Sequence, residues 1–172
     1  MAVFRVKDDG SGIEMFSKYC LFTDGMSYYD GFPEDYVFDP AVGLSFGVRT
    51  DILGTFIVFG RFTVTANGIE IISDMYEYPD LHGEYVVGRV TLERELTLTL
   101  LDAELNEVRE VTLPVGTVIF QRYTDLESWV IVETEDGTMY KASVRIVSTD
   151  DEWGIYINGI NQEELGMLAY AD

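Results

Sequence analysis

Residues 56–72 read FIVFGRFTVTANGIEII. Asn67-Gly68 is the dipeptide that most readily supplies two successive positive-φ residues, the requirement of a two-residue hairpin turn. Pairing outward from that turn sets Ala66 against Ile69 and Val64 against Ile71. Phe62, Val64, Ile69 and Ile71 then share one face, and Thr63, Thr65 and Glu70 share the other. One apolar and one polar row is the pattern a half-buried sheet requires, so the stretch is expected to be a β-hairpin.

The same alternation recurs downstream. SWVIVETEDGTMYKASVRIV, residues 128–147, is expected to turn at Asp136-Gly137. A two-residue turn there puts Trp129 and Ile131 on one face with Tyr140, Ala142, Val144 and Ile146. Lys141, Ser143 and Arg145 then point the other way, beside Val130 and Val132. ELTLTLL alternates Leu96, Leu98 and Leu100 with Thr97 and Thr99. REVTLPVGTVIFQRY adds two short strands around Pro114 and Gly116, and GIYING adds another. Helix is scarce. Asn161 can cap one or two turns over 161–168, with Glu164 three positions on. Phe32–Asp39 suits a turn of helix or a loop, because Pro33 and Pro40 fit both. The expected fold is all-β: a small barrel or sandwich of antiparallel hairpins, with at most one or two short helical turns. Tyr78-Pro79-Asp80 marks a boundary between subdomains 1–80 and 81–172, unless the two form one continuous domain.

The chain has 172 residues, 47% of them apolar, which is enough to bury a core. Its 31 acidic against 11 basic residues give a formal charge of −20. A basic groove for phosphates cannot be assembled from so few cations, so no nucleic-acid partner is expected. The acids are spread along the chain and read chiefly as a solvated surface. Cys20 is the only cysteine and His82 the only histidine. No internal disulfide and no thiolate metal cluster can form. No run of about 20 apolar residues suggests a membrane span, and MAVFRVKDDG has no signal-peptide core.

Residues roughly 86–147 resemble bacterial Src-homology-3-like domains, small β-barrels of cell-wall and secreted proteins. The likeness is carried by Gly116-Thr117-Val118, then Trp129-Val130-Ile131-Val132, then Glu135-Asp136-Gly137-Thr138-Met139-Tyr140-Lys141. These follow the order of the family's GT-V strand, W-V-x-V strand and DG hairpin. VTLERELTLTLLD departs from the N-V-R-x-G-P-like stretch that opens such domains, so their ligand-binding loops do not carry over. The resemblance implies a non-catalytic module of an extracellular or surface protein.

Residues 24–40, DGMSYYDGFPEDYVFDP, hold the expected ligand-binding residues. Tyr28, Tyr29, Phe32 and Tyr36 offer ring faces, and Asp30 and Glu34 offer hydrogen-bond acceptors, with Trp153 as a further exposed ring. The alternative is that these rings cap a β-core and the acids face water. Asp24, Asp30, Asp35 and Asp39 are hard oxygens without the D-x-D-x-D-G spacing of a calcium loop; Asp8-Asp9-Gly10 and Asp150-Asp151-Glu152 are equally short of ligands. No metal and no cofactor is therefore assigned. Among 31 acids some pair will satisfy glycosidase spacing by chance, so no catalytic pair is assigned either. A Cys20/His82 dyad lacks an orienting third group. Tyr123, Trp129, Tyr140, Trp153 and Tyr156 form a second aromatic set, with Trp129 and Tyr140 expected to face the core.

The expected function is a non-enzymatic binding or adhesion module of a bacterial cell-surface or secreted protein. Its partner would be a glycan, a cell-wall peptide or a basic protein surface. A purely structural domain of a larger assembly is the second reading, and a glycoside hydrolase-like enzyme with paired carboxylates the third.

Overall fold

The computed structural model describes residues 2–6, 13–18, 38–39, 43–65, 68–78, 89–149 and 153–170. In chain order the strands are β1 (Ala2–Val6), β2 (Ile13–Lys18), β3 (Phe38–Asp39), β4 (Gly43–Thr50), β5 (Phe56–Thr65), β6 (Gly68–Ile71), β7 (Tyr76–Glu77), β8 (Arg89–Thr91), β9 (Leu96–Leu101), β10 (Glu107–Leu113), β11 (Val118–Thr124), β12 (Trp129–Thr134), β13 (Met139–Ser148), β14 (Trp153–Ile157) and β15 (Ile160–Asn161). A single 3₁₀ turn, Gln162–Glu164, completes the described regular structure. The fold is all-β and antiparallel, as the alternating sequence requires.

The chain divides into two compact units: Met1–Gly47 with Phe59–Asp74, and Val48–Val58 with Met75–Asp172. In the first unit β1 pairs with β2 through a bulge at Val3/Phe4. Phe38 and Asp39 are strand, opposite Leu44 and Gly43, and not helical turn. The β5–β6 hairpin forms where expected, with its register moved by two residues. Phe62 lies opposite Ile71, Val64 opposite Ile69 and Thr65 opposite Gly68. An even shift leaves the faces unchanged. Phe62 is buried, while Thr65 donates to Glu70 Oε1 at 2.9 Å on the polar face.

In the second unit β10-β9-β13-β12-β11 form a continuous antiparallel path. β8 pairs with β11, and β14 with β13. Buried core positions alternate along β9 and β13, at Leu96 and Leu98 and at Tyr140, Ala142 and Val144, while β12 buries Val130, Ile131 and Val132 in succession and β14 buries Ile155 and Ile157. Pro114 and Gly116 separate β10 from β11, as the sequence indicates.

The β12–β13 hairpin departs from expectation. Glu133 lies opposite Met139, Ile131 opposite Lys141 and Trp129 opposite Ser143. Three residues, Glu135, Asp136 and Gly137, therefore form the loop instead of two. Gly137 sits at φ +83°, and Thr134 accepts its N–H at 2.9 Å. This is the three-residue hairpin closed by one left-handed glycine. An odd shift inverts the faces. Trp129 and Ile131 join Lys141 and Ser143, with Ile131 still buried on that side; Val130 and Val132 join Tyr140 and Ala142 in the core. An added Cβ at Gly137 would touch only Glu133 Oε1, at 3.7 Å. Gly137→Ala thus meets backbone strain alone and should lower stability by about 1–2 kcal/mol in urea denaturation.

Three loop aspartates hold the hairpins shut. Asp102 accepts the amides of Glu104 and Asn106. Asp125 accepts those of Glu127, Ser128 and Trp129. Asp136 accepts the Thr134 hydroxyl and the Thr138 amide. Part of the acid excess is thus turn chemistry as well as surface charge.

A buried polar hub fixes the turn between β4 and β5. Leu53 is left-handed, at φ 56°, and 1% exposed. Its N–H donates to Gln162 Oε1 at 2.8 Å, and its carbonyl accepts from Gln121 Nε2 at 2.7 Å. Gln162 Nε2 reaches both Asp51 O and the Tyr170 hydroxyl at 3.0 Å. Tyr78 donates to Ile52 O at 3.1 Å, and burial raises its pKa. Gln162 opens the 3₁₀ turn. Asn161 caps that turn by accepting Glu163 N–H at 3.0 Å, but only one turn forms before Gly166.

Candidate functional site

The inverted register creates the site. On the face opposite the core, β10, β9, β13 and β12 carry Thr112, Glu110, Thr97, Thr99, Lys141, Ser143 and Trp129. Glu110 lies opposite Thr99, Thr112 opposite Thr97, and Thr99 opposite Lys141. All of these except Thr112 line an open groove of about 640 Å³, together with Glu107, Ser128 and Asn158. Trp129 is half-buried, so part of its indole is open to the groove.

Most lining groups contact a neighbour. Lys141 Nζ donates to Glu107 Oε1 at 2.8 Å and lies 5.8 Å from the centre of the Trp129 ring. Asn158, left-handed at φ 45° in the β14–β15 turn, bridges two strands. Its Oδ1 accepts the Ser143 amide at 2.6 Å and the Ser143 hydroxyl at 2.8 Å, while its Nδ2 donates to Thr97 O at 2.5 Å. The Thr97 and Thr112 hydroxyls meet at 2.9 Å. Ser128 gives its hydroxyl hydrogen to Asp125.

Asp125 anchors the loop that leads into Trp129. Its partial burial pushes the carboxyl pKa up, but the Ser128 hydroxyl and the amides of Trp129, Ser128 and Glu127 outweigh that and leave it below the usual range. Asp102 and Asp136 are also held low, by hydrogen bonds led by the Asn106 amide and the Thr134 hydroxyl respectively. All three shifts oppose what a general acid needs. Among the described residues no group of three metal-ligating side chains comes together, and no helix is long and apolar enough to cross a membrane.

Trp153, at the start of β14, is 62% exposed. It lies opposite Ser148, so Ile146, 45% exposed, is its diagonal neighbour on the same face. Trp153 does not line the Trp129 groove. Tyr28, Tyr29, Asp30, Phe32, Glu34 and Tyr36 lie outside the described residues, as do Cys20, His82, Asp8, Asp9, Asp24, Asp35, Asp150, Asp151 and Glu152. Of the second aromatic set, Tyr140 is in the core as expected. Trp129 is not, because the odd register shift carries it to the opposite face. Tyr156 stacks under Arg145, whose guanidinium carbon is 4.3 Å from the ring centre. Trp129 was missed for that one reason; Thr97, Thr99, Glu107, Glu110 and Asn158 reach the groove only through the pairing of β9, β10, β13 and β14, which local pattern does not give. Thr134, which accepts the Gly137 amide and binds Asp136 from outside the loop, was the local sign of a longer turn. Compared with family models, with curated proteins and with solved structures, the chain matches none.

Proposed function

We propose that the protein is a non-enzymatic binding module of a bacterial cell-surface or secreted protein, and that the Trp129 groove is a contact surface for a glycan or cell-wall peptide. The observation that carries this reading is an aromatic face set in an open groove between hydroxyl, amide and carboxylate side chains. Apolar ring faces stack on ligand carbon while the polar walls orient its hydrogen-bonding groups. The Src-homology-3-like reading of residues 86–147 belongs to the proposal. Its support is that Gly116-Thr117-Val118 leads into β11, Trp129–Val132 lies on β12, and the Asp136-Gly137 hairpin joins β12 to β13, in the order of the likeness.

The test is retention on purified bacterial cell-wall material and on a glycan array. Trp129→Ala should reduce retention at least about tenfold, since an aromatic anchor carries roughly 2 kcal/mol or more of such contacts. Its amide spectrum should stay native, because the ring is only half-buried. Equal retention by the variant would refute the assignment. A second reading, protein contact in a larger assembly, has its own observation in the exposed Trp153–Ile146 pair. Trp153→Ser would then weaken association with the parent assembly and leave cell-wall retention untouched.

A further inference from the structure

We infer that the group recognised in this groove is the ammonium of a lysine side chain on a partner polypeptide, and that Lys141 is an internal placeholder for it. The inference rests on the groove being a binding site. Hydrogen-bond accounting gives the direction. The Ser143 hydroxyl hydrogen is used on Asn158, that of Ser128 on Asp125, and one amide hydrogen of Asn158 on Thr97 O. What remains on these walls is mostly lone pairs, which select a ligand rich in donors.

Charge points the same way. Glu107 and Glu110 stand against one cation, Lys141. The whole chain, at −20, draws cations in and repels anions. The groove already holds one ammonium between a carboxylate at 2.8 Å and an indole centre at 5.8 Å, the geometry of a charge-assisted hydrogen bond joined to a cation–π contact. That occupant is itself a lysine, carried on a four-carbon arm. The Lys141 side chain is 34% exposed and Glu107 59%, so solvent screens their pair and the arm is free to swing out when a second lysine enters.

The experiment titrates the full chain with acetyl-Gly-Gly-Lys-Gly-Gly-amide, its Nε-acetylated counterpart, a glucosamine oligomer and an N-acetylglucosamine oligomer, followed by amide chemical shifts. Lys141→Met keeps the arm's bulk and removes the competing charge. It should tighten the lysine peptide by about three- to tenfold, the strength of one exposed ion-pair and cation–π contact. Trp129→Ala should abolish that binding in either background, and the acetylated peptide should not bind. An affinity that Lys141→Met leaves unchanged or weakens overturns the placeholder, and so does equal binding of the acetylated peptide. Trp129-dependent binding of either sugar oligomer without the lysine peptide overturns this inference and keeps the groove as a binding site. No Trp129-dependent shift with any probe removes both.

Discussion

Gln162→Leu is expected to lower the stability of the second unit by about 2–4 kcal/mol. Gln162 is 1% exposed, and its amide serves three partners: Leu53 N–H, Asp51 O and the Tyr170 hydroxyl. Leucine fills much of the same volume and answers none of them. Tyr170 keeps its bond to Glu163. The Leu53 N–H, on a residue 1% exposed, would have no acceptor, and one such buried donor costs roughly 1–3 kcal/mol. Loss of the bond to the Asp51 carbonyl adds to that. Leu53 is also left-handed, a conformation that disfavours leucine by about 1–2 kcal/mol and persists only while its neighbours enforce it. The local readout is amide exchange at Leu53, slow in the wild type and much faster in the variant. Unchanged exchange and an unchanged urea midpoint would show that the hub does not hold this turn. Thr55 N–H donates to Ala169 O at 2.8 Å, so the end of the described chain should loosen with it.

Asp125→Ala is expected to cost about 2–3 kcal/mol and to weaken ligand retention as well. One carboxylate oxygen gathers three amides, and the other takes the Ser128 hydroxyl. Removing it leaves a four-residue loop with Leu126 at φ 75° and little to keep that conformation. Trp129 is the residue that this loop delivers to the groove. Asp125→Asn keeps one acceptor oxygen and should fall between wild type and alanine. The pH dependence has a definite sign. The folded carboxyl is held below its usual range, so its contribution to stability is full above the unfolded value near 3.9. It is lost as pH falls through the depressed folded value. Asp102 and Asp136 act in the same sense. Acid unfolding of the wild type should therefore steepen below about pH 4, and Asp125→Ala should flatten that limb. Parallel acid limbs in the two proteins would contradict the assignment.

Strand existence and polarity were legible because each hairpin carries its own alternation. Leu96 and Leu98 are buried beneath exposed Thr97, as the period of two demands. Turn position was legible to within one residue from Asn67-Gly68 and Asp136-Gly137. Loop length was not, since Asp-Gly serves two- and three-residue loops alike and its choice depends on contacts such as Thr134 to Asp136. In the first hairpin the loop keeps two residues but begins one position earlier, between Thr65 and Gly68, which moves the register by two and leaves the faces unchanged; at Asp136-Gly137 one extra loop residue moves it by one and misplaces the tryptophan. The Leu53 hub could not be read from local pattern at all. Its partners, Gln121 and Gln162, lie 68 and 109 positions away.

That odd loop also makes the molecule unusually sensitive to a particular genetic accident. An in-frame loss of one codon among 135–137 leaves two residues between Thr134 and Thr138, and a hairpin that rebuilds its three-residue loop by drawing in Thr138 slides β13 by one against β12. Tyr140 and Ala142 would then meet the solvent, while an ammonium and a serine were driven under the sheet. A neighbouring substitution would do nothing comparable. Natural or library variation at these three positions should therefore tolerate replacement far better than shortening.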